Sequence, residues 1–244
     1  MSTLISDPTI KVIFLTSPGN PSGALISPDS IQELLSQTRT FWNGVLVMDE
    51  AYIDFAAPHS SLCTAVTRYP NLIVLQTLSK SFGLAGIRLG ILFSFPEIAH
   101  LLNRMKAPYN ISSPASALGM RALSPEGLAV WKHNVADILE QRQLLLDALQ
   151  KGKKARKPGV PGIGDIIGGL DANFLLVQIV DGDGEPNNEI AKNLFTTLAE
   201  KMGVVVRFRG GERGCTGALR ITVGTRDEMQ TLLLRLQEWQ DSHM

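Results

Sequence analysis

Short, continuous apolar runs separated by helix-forming segments occupy the first half of the chain. The runs Lys11–Thr16, Gly44–Met48 and Asn71–Leu78 each have the length and composition of a buried strand. Between the first two, Ser27-Pro28 predicts the start of a helix, with the serine as N-cap and the proline in the first turn. Buried strands that alternate with helices are typical of a parallel sheet covered on both faces, so we expect an α/β unit here.

A helical period and a glycine-rich stretch follow in the second half. Ser124-Pro125 predicts the start of a long helix, along which a mainly apolar stripe recurs at helical spacing. The stripe consists of Leu128, Trp131, Val135, Ile138, Arg142, Leu145 and Leu149. The stretch Lys157–Gly169 is rich in Gly and Pro, and this composition predicts a surface loop.

Three further strands and a terminal helix are predicted beyond that loop. The strands are Ala172–Val180, Gly203–Arg209 and Ala218–Val223. Thr225 and Glu228 have the spacing of a capping box, which marks the start of the last helix. We therefore expect two domains, residues 1–124 with a mainly parallel sheet and residues 125–244 as a small α+β domain.

Composition and charge exclude several kinds of protein. Hydrophobic residues make up 44% and charged residues 19% of the chain, as in ordinary globular proteins. Basic and acidic residues number 23 each, and the basic cluster Lys151–Lys157 is interpreted as a solvated helix end, so no nucleic-acid partner is expected. No apolar stretch reaches the ~20 residues of a membrane helix, and Met1–Pro8 lacks the features of a secretory signal. Two cysteines suit a reducing compartment, so we expect a cytoplasmic protein with no membrane partner and no metal site.

Three unlike polar residues follow the three predicted parallel strands. Asn20, Asp49 and Lys80 each lie just past the carboxyl end of a strand, the edge at which open α/β sheets bind ligands. Lysine can trap a carbonyl as a Schiff base, and pyridoxal phosphate (PLP) is the usual carbonyl that it holds. Ser79 and Arg88 are suited to contact the phosphate, the arginine through its planar guanidinium. This combination predicts an enzyme of amino-group chemistry.

Asp49 and two neighbouring residues would complete such a site. An aspartate can pair with a protonated pyridine nitrogen, while Tyr52 and Asn20 could donate to the ring oxygen. Taken singly, Asp49 could be a helix N-cap and Asn20 a turn residue. Lys80 could likewise be a solvated lysine, and Arg88 an ordinary ion-pair partner. Only the combination of these residues indicates a cofactor site.

Several motifs, in order along the chain, resemble those of the fold-type I PLP-dependent aminotransferases, and within them the histidinol-phosphate aminotransferases. The motifs are Ser17–Gly23, Asp49–Phe55, Thr77–Gly90, Ala107–Asn110, Val206–Arg209 and Leu219–Thr225. The resemblance covers essentially the whole chain, and the lysine motif is highly specific for this superfamily. It implies a fold-type I α/β structure, with an incomplete large PLP-binding domain of mainly parallel sheet and a small C-terminal α+β domain.

The resemblance also implies roles for individual residues. Lys80 would bind PLP covalently and then act as the general base on the substrate α-proton. Asp49 would hold the pyridine nitrogen. The other cofactor contacts would come from Asn20 and Tyr52 at the ring oxygen and from Ser79 and Arg88 at the phosphate.

Arg207 and Arg220 match the arginines that bind the substrate anion in that family. Alternation supports this, since the apolar residues of Ala218–Val223 would share one face of a strand and leave Arg220 on the other. A bidentate arginine suits both a carboxylate and a phosphate, so one site could take glutamate and histidinol phosphate in turn. The alternative for Arg207 is a surface ion pair at a sheet edge.

The implied reaction converts histidinol phosphate and 2-oxoglutarate into imidazole acetol phosphate and glutamate, or the reverse, in a homodimer. A decarboxylase of a phosphorylated amino acid and an aromatic amino-acid aminotransferase would use similar residues and stay open as alternatives. The chain also begins late for this family, which carries a large portion with a Gly-rich phosphate loop before the strand at Lys11. A truncated, catalytically impaired fragment with an exposed apolar sheet edge is therefore a further alternative.

Overall fold

The computed structural model describes residue 7 and residues 9–38 and 42–242. The chain divides into two compact units: residues up to Asn20 together with Ala24–Val135, and Pro21–Gly23 together with the residues from Ala136 onward. Within the described residues, each unit contains its own four-stranded sheet. The α/β class expected from the sequence is confirmed.

Three parallel strands and one antiparallel strand form the sheet of the first unit, in the order β1-β2-β3-β4. The strands are β1 (Val12–Thr16), β2 (Val45–Asp49), β3 (Leu72–Thr77) and β4 (Gly90–Ser94). Helix α1 (Pro28–Thr38) lies between the first two strands and begins where the sequence predicts. The three parallel strands are confirmed, whereas β4 is not among the predicted strands. It runs back along β3 and places Gly90 opposite Thr77.

The core of the first unit lies on one face of this sheet. Side chains that alternate along the parallel strands pack there with α1, namely Ile13, Leu46, Met48, Leu72 and Val74 with Ile31 and Leu35. On the opposite face of β1, which is an edge strand within the described residues, Phe14 is 69% exposed. The exposed apolar surface that the sequence predicts at this sheet edge is therefore present.

Three helices follow β4: α2 (Pro96–Met105), α3 (Ser113–Ala122) and the long α4 (Pro125–Ala155). The Gly127 amide donates to Ser124 Oγ at 3.2 Å, so Ser124 caps α4, which begins where the sequence predicts. The first turns of α4 belong to the first unit, where the Trp131 ring stacks on Phe82 with centroids 5.5 Å apart. The units consequently divide after Val135, later than the domain boundary expected at residue 124. No helix in the described part of the chain has the length and apolar character needed to cross a membrane.

An antiparallel sheet in the order β5-β6-β8-β7 forms the second unit. Its strands are β5 (Gly162–Ile167), β6 (Phe174–Val180), β7 (Arg207–Phe208) and β8 (Ala218–Thr222), and its helices are α5 (Asn188–Lys201) and α6 (Arg226–Asp241). Its core joins Leu175 of β6 and Leu219 of β8 to Leu145 of α4, Leu194 of α5 and Trp239 of α6. The predicted strands at β6 and β8 and the predicted capping box of α6 are confirmed.

The prediction of a surface loop over Lys157–Gly169 is wrong in its second half. Gly162–Ile167 pairs with β6 as strand β5, and Ile163 is only 8% exposed. A Cβ on Gly164 would lie 2.6 Å from a Val180 methyl carbon. The glycine here therefore permits a close approach of two strands and does not mark a loop.

The strand expected at Gly203–Arg209 is also shorter than predicted. Gly203 has a left-handed backbone with φ 70°, and the Val204 amide donates to the Leu198 carbonyl of α5 at 2.9 Å. These two features hold the segment against the end of the helix. The strand itself is limited to Arg207–Phe208, and the Arg209 amide adds one more bond to β8, donating to the Ala218 carbonyl at 2.8 Å.

Candidate active site

The parallel strands end side by side, and the predicted site residues leave the sheet at that edge. Thr16 at the end of β1 lies opposite Asp49 at the end of β2. The Ser17 amide donates to the Asp49 carbonyl at 2.9 Å and fixes the start of the turn that carries Asn20. Asn20 itself is exposed. Asp49 is thus the last residue of one strand and Asn20 follows the end of its neighbour, so both lie at the same edge of the parallel sheet.

Lys80 lies in a tight turn that directly follows β3. The Gly83 amide donates to the Lys80 carbonyl at 3.0 Å, and the Leu84 amide donates to the Leu78 carbonyl at 3.0 Å. Lys80 is exposed, and its Nζ lies 5.3 Å from the centre of the Tyr52 ring, within cation–π range. The fold therefore brings the predicted lysine next to a predicted residue from a different strand end.

Ser79 precedes the Lys80 turn and Arg88 follows it. The Thr77 hydroxyl donates to Ser79 Oγ at 2.9 Å, and the Ser79 amide donates to Thr77 Oγ1 at 3.1 Å. Arg88 has a left-handed backbone with φ 55°, which is uncommon for a residue other than glycine. Its Nη1 donates to the Ala85 carbonyl at 2.9 Å, and the residue is exposed. Ser79 thus adjoins Lys80 in the chain, whereas the Arg88 guanidinium is bonded to the backbone of its own turn.

A buried carboxylate beside Asp49 is a feature that sequence reasoning missed. Glu50 is 2% exposed and accepts hydrogen bonds from the Ser61 hydroxyl at 2.6 Å and the Leu62 amide at 2.7 Å. Gln76 Nε2 of β3 also donates to it, at 2.9 Å. Because successive side chains of a strand point to opposite faces, Glu50 reaches the covered face and Asp49 the other. That alternation at the end of a buried strand was the signal that could have identified Glu50.

A second missed carboxylate belongs to the short 3₁₀ helix Ile53–Phe55, which follows Tyr52. Asp54 accepts a hydrogen bond from the Ser81 hydroxyl, and Ser81 is 3% exposed. Burial raises the pKa of the Asp54 carboxyl, and the Ser81 hydrogen bond opposes this change without cancelling it. This pair joins the segment after β2 to the residue that follows Lys80.

In the second unit, Arg207 of β7 and Arg220 of β8 occupy opposed positions of the antiparallel pair. The guanidinium carbon of Arg220 lies 5.1 Å from the centre of the Phe174 ring, and Arg220 is partly buried while Arg207 is exposed. Leu219 and Ile221 are buried, which confirms the predicted alternation along β8. The two arginines therefore share the face of the sheet opposite the core.

The residue types at the sheet edge of the first unit fit PLP. This cofactor needs an amine for its aldehyde, an anion for its pyridine nitrogen, and hydrogen-bond donors for its ring oxygen and phosphate. Lys80 supplies the amine and Asp49 the anion. Tyr52 and Asn20 supply donors for the ring oxygen, and Ser79 and Arg88 supply donors for the phosphate. An open cavity of about 360 Å³ has Asp49 and Thr77 in its wall, but its lining does not include the other predicted site residues.

Comparison with known proteins decides the family. The family model for class I and II aminotransferases matches residues 1–236. The chain belongs to this family. The solved structure of the histidinol-phosphate aminotransferase from Clostridium acetobutylicum is 22% identical and has a TM-score of 0.80, over 96% of this chain and 65% of that one. This likeness confirms the fold-type I architecture expected from the sequence.

Two curated relatives of this aminotransferase chain are similar over nearly all of its length. The histidinol-phosphate aminotransferase of Candida maltosa is 52% identical over 96% of the chain. That of Schizosaccharomyces pombe is 48% identical over 97% of the chain. The chain spans 58% and 61% of the lengths of these two relatives.

Proposed function

We propose that this chain belongs to a histidinol-phosphate aminotransferase, a cytoplasmic homodimer that acts in histidine biosynthesis. It exchanges an amino group between histidinol phosphate and 2-oxoglutarate, giving imidazole acetol phosphate and glutamate. The position of Lys80 Nζ, 5.3 Å from the ring of Tyr52, which follows the strand that ends at Asp49, is the observation that carries the proposal. Relatives of that name, up to 52% identical, support the choice of substrate.

In this proposal the residues of the first unit hold PLP and move one proton. When bound, PLP supplies an electron sink for the negative charge that develops at the substrate α-carbon. Lys80 would hold the cofactor aldehyde through Nζ, and its free amine would carry the substrate α-proton as general base. Asp49 keeps the pyridine nitrogen protonated through its carboxylate. Asn20 and Tyr52 bind the ring oxygen, and Ser79 and Arg88 bind the phosphate.

Arg207 and Arg220 bind the anionic end of the substrate in this proposal. Their opposed positions place two cationic groups on one face of the β7–β8 pair. A planar guanidinium can bind a carboxylate or a phosphate through two parallel hydrogen bonds. The same pair would therefore accept histidinol phosphate in one half-reaction and glutamate in the other.

Covalent trapping of the cofactor tests the central claim. The chain is incubated with PLP and reduced with borohydride, and the labelled peptide is mapped. We expect the label on Lys80, together with a visible absorbance band that Lys80→Ala lacks. Lys106→Ala, which changes another exposed lysine of the same unit, should keep both signals. A label on a different lysine, or no label, would refute the proposal.

Product analysis separates the proposed reaction from its alternatives. The aminotransferase forms glutamate from 2-oxoglutarate only when histidinol phosphate is present. A decarboxylase of threonine phosphate would release carbon dioxide without consuming 2-oxoglutarate, and an aromatic aminotransferase would use phenylalanine in preference. A chain that carries the label on Lys80 but turns over none of these compounds would be an impaired fragment.

A further inference from the structure

The hydrogen bond between Asp54 and Ser81 ties together the two segments that carry Tyr52 and Lys80. Asp54 lies in the 3₁₀ helix Ile53–Phe55, directly after Tyr52, and Ser81 immediately follows Lys80. The contact of Lys80 with Tyr52 and the contact of Ser81 with Asp54 therefore run side by side between the same two segments.

The chemistry of this pair suits a fixed link. Ser81 is 3% exposed, so its hydroxyl has little access to water and needs a partner inside the protein. A carboxylate that accepts from a hydroxyl forms a short and comparatively strong hydrogen bond. Loss of either group would leave the other shielded from water and without its hydrogen-bond partner, which costs free energy.

Two further backbone hydrogen bonds of the Lys80 turn are local. The amides of Gly83 and Leu84 donate to the carbonyls of Lys80 and Leu78, respectively. These bonds set the shape of the turn but do not join it to the segment that carries Tyr52. A lysine side chain has several rotatable bonds, so its amine is held in one place only if its backbone is also held.

We propose that Asp54 is a positioning residue, which acts through the Ser81 hydroxyl to hold Lys80 beside Tyr52. Asp54 touches neither substrate nor cofactor in this scheme. Its importance for catalysis rests on the proposed function, because Lys80 must stand beside the carbon that it deprotonates. The geometric part of the proposal concerns this chain alone and can be tested without cofactor.

Lysine side-chain NMR measures the geometry directly. Protons near the face of an aromatic ring are displaced by its ring current, so the ε-methylene of Lys80 should show a displaced signal, assigned with Lys80→Arg. Ser81→Ala and Asp54→Ala should each remove most of this displacement, and the double variant should remove no more than either single one. Asp54→Asn keeps an oxygen that can accept a hydrogen bond from Ser81, so this variant should keep most of the displacement of the Lys80 signal.

Matched controls separate positioning from a general loss of structure. The guanidinium carbon of Arg68 lies 5.5 Å from the Tyr69 ring in the same unit, so the Arg68 side-chain signal reports whether this unit stays folded in the variants. Ser36→Ala removes another serine hydroxyl, 3.1 Å from the Tyr69 hydroxyl, and should leave the Lys80 signal unchanged. Because Asp54→Ala breaks the link from the other side, failure of Ser81→Ala to fold does not prevent the test.

Kinetics of the PLP-loaded enzyme test the catalytic part. We expect Ser81→Ala and Asp54→Ala to lower kcat about tenfold, the effect of losing one hydrogen bond to a charged group, with little change in KM for histidinol phosphate. An unchanged Lys80 signal in both variants would overturn the proposal, and so would a lost signal with normal kcat. Failure of the parent chain to bind PLP would instead refute the proposed function, while the cofactor-free NMR result would still decide the geometry.

Discussion

Arg207 in β7 lies directly opposite Arg220 in β8, so two guanidinium groups share one face of an antiparallel pair. Opposed side chains in such pairs have Cβ atoms about 5 Å apart, and like charges there are destabilising. Stacking of Arg220 on Phe174, at 5.1 Å, compensates part of this repulsion for one arginine. The arrangement becomes favourable when an anion lies between the two cations, which is what the proposed substrate site requires.

Removal of one charge should therefore stabilise the protein while weakening anion binding. We expect Arg207→Gln to raise the free energy of unfolding by about 0.5 kcal/mol at low ionic strength, because it relieves the repulsion with Arg220. Urea unfolding should show this gain, and added salt should reduce it by screening. Inorganic phosphate should stabilise the parent more than the variant, because it binds between the paired arginines.

Arg213→Gln is the matched control for this prediction. Arg213 is exposed and lies in the loop between β7 and β8, outside the pairing register. The change removes the same charge as Arg207→Gln. Because Arg213 is outside the arginine pair, both the stability and its increase with phosphate should stay close to those of the parent. Equal phosphate stabilisation in Arg207→Gln and the parent would contradict an anion site at the arginine pair.

Glu50 should be important for stability, although it is absent from the residues selected from the sequence. Glu50→Ala deprives the Ser61 hydroxyl, the Leu62 amide and Gln76 of an acceptor in a buried place. We expect the free energy of unfolding to fall by about 3 kcal/mol. Glu33→Ala, which changes an exposed glutamate of α1, should alter it by less than about 0.5 kcal/mol in the same urea experiment. Equal effects of the two changes would refute this role for Glu50.

The dependence of stability on pH should report the burial of Asp54. Burial raises the pKa of this carboxyl in the folded state above its ordinary value of 3.8, so the folded chain binds its proton more tightly than the unfolded chain. The contribution of Asp54 to stability is therefore present below pH 3.8 and decreases as the pH rises through the raised value. Asp54→Asn removes this dependence.

Urea unfolding at about pH 4 and about pH 7 measures this difference. Relative to the parent, Asp54→Asn should be more stable at the higher pH than at the lower one. Asp183→Asn, at an exposed position of the second unit, should show no such trend. A constant difference between Asp54→Asn and the parent across this range would contradict the raised pKa.

The strands that the sequence predicts correctly are those in which a continuous apolar run by itself indicates a buried strand. Val45–Asp49 and Leu72–Thr77 are buried by long-range packing but already read as strands from composition. The strand Gly162–Ile167 could not be read in this way, because its glycines indicate a loop when considered locally. Gly164 is required by the close approach of Val180, and that contact exists only after the sheet has formed.

A similar distinction separates the predicted site residues from the missed ones. Lys80 and Asp49 follow parallel strands, so topology alone places them at one edge of the sheet. Asp54 looks like an ordinary surface carboxylate in the sequence, and Glu50 is marked only by the alternation along its strand. Their partners, Ser61 for Glu50 and Ser81 for Asp54, come from other loops and are defined only by the tertiary structure.

The capping box of α6 provides a last prediction, in which one chemical change is made at two positions of the same helix. The Thr225 amide donates to Glu228 Oε2 at 2.7 Å, and the Glu228 amide donates to Thr225 Oγ1 at 3.4 Å. Thr225→Ala leaves the Glu228 amide without its side-chain acceptor, and should lower the free energy of unfolding by about 1 kcal/mol. Thr231 is also exposed, but its hydroxyl donates back to the Asp227 carbonyl at 2.8 Å within the helix. Because alanine favours a helix interior, Thr231→Ala should be neutral or slightly stabilising, and a larger loss there than at Thr225 would refute the capping role.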